Sequence, residues 1–432
     1  MNGFFVLKEK ILNRSIKISI VGLGYVGLPL ALRFIEEGFS VWGIDVDEDR
    51  IKKLKRRESY ITDVSQKYLN RCFNTKRFKV TTNFKAISET QAILICVPTP
   101  LKYKYTPNIS YIEKAVVSIA KNINKPSLLI LESTTYPGTT EEVILPLLEK
   151  YNLKHNKDFF LCFSPERIDP GNKKYNLKNI PKIVGGLNHK ATELATLLYK
   201  CIIDEVYPVN STRVAEFVKL LENTFRLVNI ALIYELTMMA YKMNVDIWKI
   251  IELAKTKPFG FMPFYPGPGV GGHCIPKDPI YLYWKSRQHG FNLRFIKLAS
   301  EIISYMPRYI VERVVNLLDK NKKQPKILIV GVTYKKDVKD LRKSPALDII
   351  QILQKQKVKV SYYDPLIPYL KIDQINLKSI KLTKDVLNKF DCVVIVTDHS
   401  KINYNLILKN AELIFDTRNV YKDIDSEKIV RL

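Results

Sequence analysis

The chain has 432 residues, of which 46% are hydrophobic and 26% charged, and its formal net charge is +26. This composition is close to average globular usage and argues against a disordered chain. No apolar run approaches the roughly 18 to 20 residues that a membrane-spanning helix needs. The basic residues are dispersed along the chain, so we expect neither a nucleic-acid partner nor a membrane partner. The length predicts two or three domains.

Six cysteines are spread along the chain without a CxxC pair, and the N-terminus lacks the apolar core of a secretory signal. Both features predict a cytoplasmic protein with reduced thiols. Cys96, Cys162 and Cys392 stand in apolar, strand-like runs, where we expect them to be structural. Cys274 stands in a different setting.

Apolar strand-like runs alternate with helical patterns over the first part of the chain, beginning with KISIVG, GLGYVGLPLALRFIEEG and SVWGID. This alternation predicts a parallel sheet with helices on both faces. From Ser211 to Met243 a helical periodicity continues without Gly or Pro, which predicts one long helix. Further helical patterns follow to about Asp319, and the α/β pattern begins again at KILIVG.

We therefore predict an α/β protein with two Rossmann-like doubly wound domains, joined by a long central helix and a helical spine. The predicted domains are an N-terminal dinucleotide-binding domain (1–209), a central helical domain (210–320) and a C-terminal domain (321–432).

Gly22, Gly24 and Gly27 form a G-x-G-x-x-G motif between a predicted strand and a predicted helix. These glycines allow a tight turn, close approach of the backbone to a pyrophosphate, and packing of the helix on the strand. Asp45 ends the next strand, where its carboxylate can accept hydrogen bonds from the adenosine ribose and would repel a 2′-phosphate. The motif predicts NAD as cofactor, although the nearby Arg50 leaves NADP open.

Cys274 lies in PGPGVGGHCIPKDP, immediately before a predicted helix. The positive end of the helix and the nearby Lys277 favour its thiolate, which predicts a nucleophile. Asp278 is four residues further on, one helical turn away, within reach of a water beside the thiol. The alternative is a buried thiol in a turn. We assign His273 a structural part, and no second His or Cys at ligand spacing supports a metal site.

Lys219 and Asn223 are four residues apart in FVKLLENTF and share one face of the long helix. Polar residues among so many apolar ones either reach solvent or belong to a site.

Together these segments resemble the UDP-glucose/GDP-mannose dehydrogenase family over nearly the whole chain. The segments that carry the resemblance are, in order, VGLGYVGLPLA, CVPTPL, ESTTYPGTT, SPERIDPG, EFVKLLENTFRLVNIAL, GPGVGGHCIPKDP, GVTYKKDVKDLRKSPAL, YDP and FDTRNV. The resemblance implies a four-electron oxidation of the C6 alcohol of a nucleotide sugar to a carboxylate, with two NAD+ consumed. It also implies a homodimer or larger oligomer assembled through the central helices.

In this resemblance Cys274 would capture the intermediate aldehyde as a thiohemiacetal, and a second oxidation would give a thioester that water releases. Lys219 would stabilise the oxyanion, and Asn223 would orient it and the substrate. Asp278, Thr135 and Glu166 would hold or activate the water, and which of them is the general base stays open. The implied catalytic residues are thus Cys274, Lys219, Asn223, Asp278, Glu166 and Thr135.

The motif and the resemblance together imply cofactor contacts at Gly22, Gly24, Gly27, Tyr25, Val26, Asp45, Arg50, Thr99, Thr134 and Arg342. The substrate, a UDP-sugar, would meet Glu166, Arg167, Lys219, Asn223, Tyr265, Gly271, Lys335 and Arg418.

The sugar is the least defined part of the resemblance. Pro170 stands in SPERIDPG where the glucose-oxidising branch has a second glutamate. The segment PFGFMPFYPGPGVGGHCIPKDPIYL looks most like the branch that acts on UDP-N-acetylhexosamines, with UDP-N-acetylglucosamine first. UDP-N-acetylmannosamine, UDP-N-acetylgalactosamine and UDP-glucose remain alternatives, as does a catalytically silent protein that only binds NAD and a nucleotide sugar.

Overall fold

The computed structural model describes residues 3–61, 64–102, 106–169, 171–172, 174–272, 274–319 and 321–432. Its backbone contacts divide the chain into two compact units. Unit 1 holds Met1–Glu222 and Ile280–Phe291, and unit 2 holds Asn223–Pro279 and Asn292–Leu432. The division into three domains stays a prediction. Among the described helices, none combines the length and the apolarity that crossing a bilayer requires.

Unit 1 is built on an eight-stranded sheet in the order β3-β2-β1-β4-β5-β6-β7-β8. Its strands are β1 (Lys17–Val21), β2 (Ser40–Ile44), β3 (Phe78–Thr81), β4 (Ala92–Ile95), β5 (Ser127–Leu131), β6 (Phe159–Phe163), β7 (Lys182–Gly186) and β8 (Val206–Val209). Its helices are α1 (Gly3–Leu12), α2 (Gly27–Glu36), α3 (Glu48–Lys55), α4 (Gln66–Asn74), α5 (Ser110–Asn122), α6 (Leu145–Lys150) and α7 (His189–Lys200). The predicted parallel sheet is confirmed except for β6 and β7, which pair antiparallel.

Four further α-helices follow in the chain: α8 (Thr212–Lys242), α9 (Ile247–Ala254), α10 (Asp278–Gln288) and α11 (Arg294–Leu317). The predicted long central helix is confirmed as α8, which has 31 residues and begins in unit 1 and ends in unit 2.

Unit 2 contains a second sheet, which is parallel throughout and has the order β10-β9-β13-β14-β15. Its strands are β9 (Lys326–Val330), β10 (Lys359–Tyr363), β13 (Cys392–Ile395), β14 (Ile414–Asp416) and β15 (Ile429–Arg431), with a separate antiparallel pair β11 (Tyr369–Ile372) and β12 (Ile375–Lys378). The helices α12 (Pro345–Lys355), α13 (Lys384–Leu387) and α14 (Tyr404–Asn410) complete it. The fold class predicted from the sequence, with two Rossmann-like units, is confirmed.

In the turn between β1 and α2, the backbone atoms of Gly22 and Gly27 lie so close together that a side chain at Gly27 has no space. A Cβ added at Gly27 would lie 1.9 Å from the Gly22 carbonyl oxygen and 3.1 Å from the Ile20 side chain. A Cβ at Gly24 would meet nothing within 4 Å. The third glycine of the motif is therefore required for packing α2 on β1, whereas the second leaves the turn open.

We expect Gly27→Ala to lower the free energy of unfolding by about 3 kcal/mol, because the added methyl group would overlap backbone that cannot rotate away. Thermal unfolding would measure the loss. Gly24→Ala is the matched control and should keep the wild-type melting temperature, since its methyl group has space. Equal melting temperatures for the two variants would contradict this account of the turn.

Candidate active site

The acid that follows β2 stabilises the glycine turn of unit 1 by accepting a hydrogen bond from its backbone. Asp45 is 5% exposed, and its Oδ2 accepts a hydrogen bond from the Leu23 amide at 2.8 Å. Gly22 has a φ of +95°, which favours glycine. The turn, the start of α2 and Asp45 thus have the arrangement that fits a dinucleotide, with the pyrophosphate at the helix N-terminus and the ribose near the acid.

The other residues predicted around this turn lie close to it. Val26 precedes the first residue of α2, and Tyr25 is 39% exposed. Arg50 lies beside Asp45, with its guanidinium 3.1 Å from Oδ2. Sequence reasoning missed Tyr60, whose hydroxyl donates to the Leu23 carbonyl at 2.6 Å. Burial raises the pKa of Tyr60, so it stays a hydrogen-bond donor at neutral pH.

Thr99 and Thr134, which the resemblance implies as nicotinamide-side and ribose-side cofactor contacts, lie in the loops that follow β4 and β5. The Thr99 hydroxyl donates to the Thr134 carbonyl at 2.7 Å. The Ser133 hydroxyl donates to the Val97 carbonyl at 2.8 Å, and the Tyr281 hydroxyl donates to the Thr99 carbonyl. A hydrogen bond therefore joins the loop that carries Thr99 to the loop that carries Thr134.

Glu166 follows β6 and lies beside a buried ion pair that the sequence did not suggest. The ammonium of Lys182 is 2.6 Å from the Glu132 carboxylate and 4.0 Å from the Glu166 carboxylate. Burial alone would lower the pKa of Lys182, but the two carboxylates more than offset burial and raise it. The Tyr199 hydroxyl donates to the second oxygen of Glu132.

The guanidinium of Arg167 is held by two hydrogen bonds within unit 1. It donates to the Pro181 carbonyl and to the Glu222 carboxylate, both at 2.7 Å. Glu222 follows Lys219 by three residues on α8, and Lys219 is 8% exposed. A lysine this buried is not an ordinary solvated surface charge.

The predicted reactive thiol and its neighbours belong to unit 2. Cys274 is exposed, and its carbonyl accepts from the Asp278 amide at 2.8 Å. The predicted one-turn spacing between the two residues is therefore present as an i,i+4 hydrogen bond. The Asn223 side chain donates to Asp278 Oδ2 at 2.7 Å, and both residues are at least 95% buried.

Lys277 adds a cation to this group. Its ammonium lies 3.7 Å from Asp278 Oδ1 and the residue is 5% exposed. Burial lowers its pKa, and the charge of Asp278 partly opposes the shift. One local group in unit 2 is thus formed by Cys274, Asp278, Asn223 and Lys277. Cys274 is its solvent-exposed member.

The glycines before Cys274 pack against the segment that follows β9. The Gly272 amide donates to the Arg342 carbonyl at 2.9 Å, and a Cβ at Gly271 would lie 2.5 Å from the Tyr334 Cβ. Gly271 and Arg342, both predicted site residues, are therefore neighbours within unit 2. Sequence reasoning missed Tyr334, which precedes the predicted Lys335. Its side chain leaves no space for a Cβ at Gly271 or Gly272.

The remaining predicted substrate contacts occupy different places in unit 2. Arg418 follows β14 and donates to the Val396 carbonyl at 2.8 Å. Tyr265 donates to Glu252 at 2.7 Å and stacks on Trp248 with ring centroids 6.2 Å apart.

Two residues named from the sequence, His273 and Pro170, lie outside the described residues. Over the described part of the chain, no cluster of three or more His, Cys, Asp or Glu side chains could hold a metal ion.

Comparison with known proteins identifies the family. Models of the UDP-glucose/GDP-mannose dehydrogenase family match in chain order: the NAD binding domain over residues 16–203, the central domain over 213–303 and the UDP binding domain over 328–423. A UDP-N-acetyl-D-mannosamine dehydrogenase of Pyrococcus horikoshii is 35% identical over 417 residues, which are 94% of this chain and 96% of the relative.

Two further proteins agree with this match. A UDP-N-acetyl-D-glucosamine 6-dehydrogenase of Pseudomonas aeruginosa is 36% identical over 357 residues, or 82% of this chain and 83% of the relative. A solved structure of a UDP-D-ManNAc dehydrogenase from Pyrococcus horikoshii matches with a TM-score of 0.87 at 33% identity, covering 96% of this chain and 99% of that one. The chain therefore belongs to the UDP-glucose/GDP-mannose dehydrogenase family and is an NAD-dependent nucleotide-sugar dehydrogenase.

Proposed function

We propose that this enzyme oxidises the C6 hydroxymethyl group of a UDP-N-acetylhexosamine to a carboxylate, with Cys274 as covalent nucleophile. The observation that carries the proposal is the local group in unit 2. There an exposed thiol lies one turn from a buried carboxylate that accepts a hydrogen bond from Asn223 and lies near a buried lysine. A nucleophile beside an acid, an amide and a cation suits acyl transfer to water.

Each oxidation needs a hydride acceptor, which NAD supplies when it is bound to the glycine turn of unit 1. The Cys274 thiolate adds to the C6 aldehyde and gives a thiohemiacetal, and the second oxidation converts this to a thioester. Water then attacks the thioester carbon, the C–S bond breaks and the thiolate leaves. The sum is one alcohol, two NAD+ and one water giving one carboxylic acid, two NADH and two protons.

The other site residues take the parts that the family resemblance implies. Lys219 stabilises the negative oxygen of the tetrahedral species, a role that suits a cation with little access to solvent. Asp278, Thr135 and Glu166 are the groups we propose to hold or activate the water. Proposed cofactor contacts include Thr99, Thr134 and Arg342, and proposed UDP-sugar contacts include Arg167, Tyr265, Gly271, Lys335 and Arg418.

The names of the relatives support an N-acetylated sugar and leave two candidates. UDP-N-acetylglucosamine is the first, from the resemblance around Cys274 and from the Pseudomonas aeruginosa relative. UDP-N-acetylmannosamine is the second, because relatives named for that substrate match 94% of this chain. The product of either reaction would be a precursor for a surface polysaccharide.

The cysteine chemistry predicts that Cys274→Ala forms no sugar acid, because without the thiolate no thioester can form. Wild-type enzyme should release two NADH per sugar, measured by absorbance and by mass spectrometry of the product. Cys201→Ala removes a half-buried thiol of unit 1 and is the matched control, which should keep wild-type turnover. Full oxidation by the Cys274→Ala protein would exclude the covalent route.

The substrate is tested by NADH production with a panel of UDP-N-acetylglucosamine, UDP-N-acetylmannosamine, UDP-N-acetylgalactosamine, UDP-glucose and GDP-mannose. We expect one UDP-N-acetylhexosamine to exceed UDP-glucose in kcat/KM by roughly a hundredfold, the discrimination that a few differing contacts give. A preference for UDP-glucose or GDP-mannose would contradict the proposed sugar class. Binding of NAD and UDP-sugar without any NADH would favour the silent binding protein.

We further propose that the enzyme is a cytoplasmic homo-oligomer that assembles through α8. The wide spacing of the six cysteines, without a CxxC pair, is what supports a reducing compartment. One stripe of α8 exposes large apolar side chains, each between 45% and 56% exposed: Leu221, Phe225, Leu232, Leu236 and Met239. Exposed apolar stripes of this length mark interaction surfaces, and a second copy offers the same stripe.

Introducing a carboxylate into this stripe should therefore separate the subunits. We expect Leu232→Glu to shift the protein to monomer in sedimentation-velocity experiments, because the buried charge would have no partner in the interface. Gln354→Glu adds a carboxylate at an exposed position of α12 and should leave the oligomer intact. An unchanged sedimentation coefficient for Leu232→Glu would show that this stripe is not the interface.

A further inference from the structure

A buried carboxylate on α8 anchors the segment that follows β5. Glu216 is fully buried, and its Oε2 accepts a hydrogen bond from the Gly138 amide at 2.6 Å. Its Oε1 accepts from the Thr140 amide at 2.9 Å and from the Thr140 hydroxyl at 2.7 Å. Three donors of one short segment thus converge on one side chain, separated from it by more than seventy residues of chain. Hydrogen bonds to an ionised acceptor are the strong ones, so Glu216 fixes this segment firmly while its carboxylate is ionised.

The segment held by Glu216 carries the hydroxyl that meets Thr135. Gly138 and Thr140 flank Thr139, whose hydroxyl lies 2.9 Å from the Thr135 hydroxyl. Thr139 also donates to the Tyr136 carbonyl at 2.7 Å. A hydroxyl has one proton, so Thr135 must be the donor in the pair. The Thr135 oxygen then keeps its lone pairs available to accept a hydrogen bond from another group.

Glu216 is also tied to the predicted oxyanion-stabilising residue through the helix itself. Lys219 follows Glu216 by three residues on α8, so the two side chains lie on the same face, and both are buried. One carboxylate therefore connects the Thr135 segment to the turn of helix that carries Lys219. All of these residues belong to unit 1.

We propose that Glu216 is a positioning residue for the dehydrogenase reaction, which fixes the place and the proton direction of Thr135 relative to Lys219. It acts through Thr139 and Thr135 and does not itself touch the substrate. This inference rests on the proposed function, in which Thr135 holds water and Lys219 stabilises the oxyanion.

The charge of Glu216 gives the proposal a pH signature. Burial raises the pKa of Glu216 to about 7, against the opposing effect of its hydrogen bonds with Thr140 and Gly138. Protonation turns one carboxylate oxygen of Glu216 from an acceptor into a donor. This hydroxyl would then face the donors of Gly138 and Thr140, so the hydrogen bonds that hold the segment weaken as the pH falls below about 7. The charged and titratable side chains around it in the described part of the chain include Lys219 on the same face of α8, Glu141, Arg213 and Tyr136, and Glu142 pairs with Arg213 and Lys285 beside them.

The first experiment compares Glu216→Gln with Glu149→Gln, an exposed glutamate on α6 that serves as the matched control. We expect Glu216→Gln to lower kcat by about tenfold or more, with KM for NAD and for the UDP-sugar nearly unchanged, because small displacements of reacting groups reduce turnover strongly. The acid limb of the wild-type kcat profile near pH 7 should be absent in this variant. Unchanged kcat, or the same acid limb in both proteins, would overturn the proposal.

The second experiment separates positioning from general stability. In a double-mutant cycle, Glu216→Gln should add little to the loss already caused by Thr135→Ala, because both changes remove the same contribution. If the two losses in kcat multiply, Glu216 does not act through Thr135 and the proposal fails.

A third comparison leaves Glu216 in place, in case its substitution prevents folding. Thr139→Val removes the hydroxyl that accepts from Thr135 and should lower kcat, while Thr139→Ser keeps the hydroxyl and should restore it. Wild-type kcat in Thr139→Val would overturn the proposal. A wild-type enzyme without turnover on any sugar of the panel would overturn the proposed function and this inference together, whereas active wild type with unaffected variants would overturn this inference alone.

Discussion

In each unit the first strand of the sheet ends at a glycine, and the chain turns there. The Cα of this glycine lies directly against the backbone that follows a neighbouring strand. In unit 1, Gly22 has a φ of +95°, and an added Cβ would lie 2.6 Å from the Cys96 carbonyl oxygen. In unit 2, Gly331 has a φ of +80°, and an added Cβ would lie 2.1 Å from the Thr397 carbonyl oxygen. Both the positive φ and the lack of space exclude any other residue. These turns begin the segments that carry Tyr25 and Val26 in unit 1 and Lys335 and Arg342 in unit 2, at the carboxyl ends of strands, which is where open α/β sheets bind ligands.

An acid at the end of the second strand supports each of these turns, and both acids also accept from other protein donors, among them the Asp47 amide and the Arg50 guanidinium at Asp45. Asp45 accepts from the Leu23 amide at 2.8 Å, and Asp364 accepts from the Val332 amide at 2.7 Å. Asp364 Oδ2 also meets Nε2 of the buried His399 at 3.1 Å. Nδ1 of His399 accepts a hydrogen bond from the Asp337 amide. The imidazole proton therefore lies on Nε2, which donates to Asp364 Oδ2. Asp364 and Asp45 thus have the same structural part in the two units, since each fixes the turn that follows the first strand of its sheet.

Features determined by neighbouring residues could be predicted from the sequence, whereas features that join distant segments could not. The glycine turn and the spacing of Cys274 and Asp278 are local, and both have the predicted geometry. The Lys182–Glu132 ion pair joins residues fifty positions apart, and nothing in either local sequence names the partner. The antiparallel pairing of β6 with β7 was missed for a similar reason, since strand patterns carry no direction.

The buried charges of this enzyme are better explained by positioning than by stability. Removing a carboxylate or an ammonium from water costs several kcal/mol, and a well-packed apolar side chain would often stabilise the fold as well or better. Glu132 is nevertheless buried with Lys182, whose ammonium also donates to the Pro165 carbonyl at 3.2 Å, immediately before Glu166. An apolar replacement could fill the same space, but it could not orient a backbone carbonyl or hold two carboxylates at fixed distances. The free energy spent on burying these charges therefore goes into fixing the loop that carries Glu166, one of the residues on which the proposed chemistry depends.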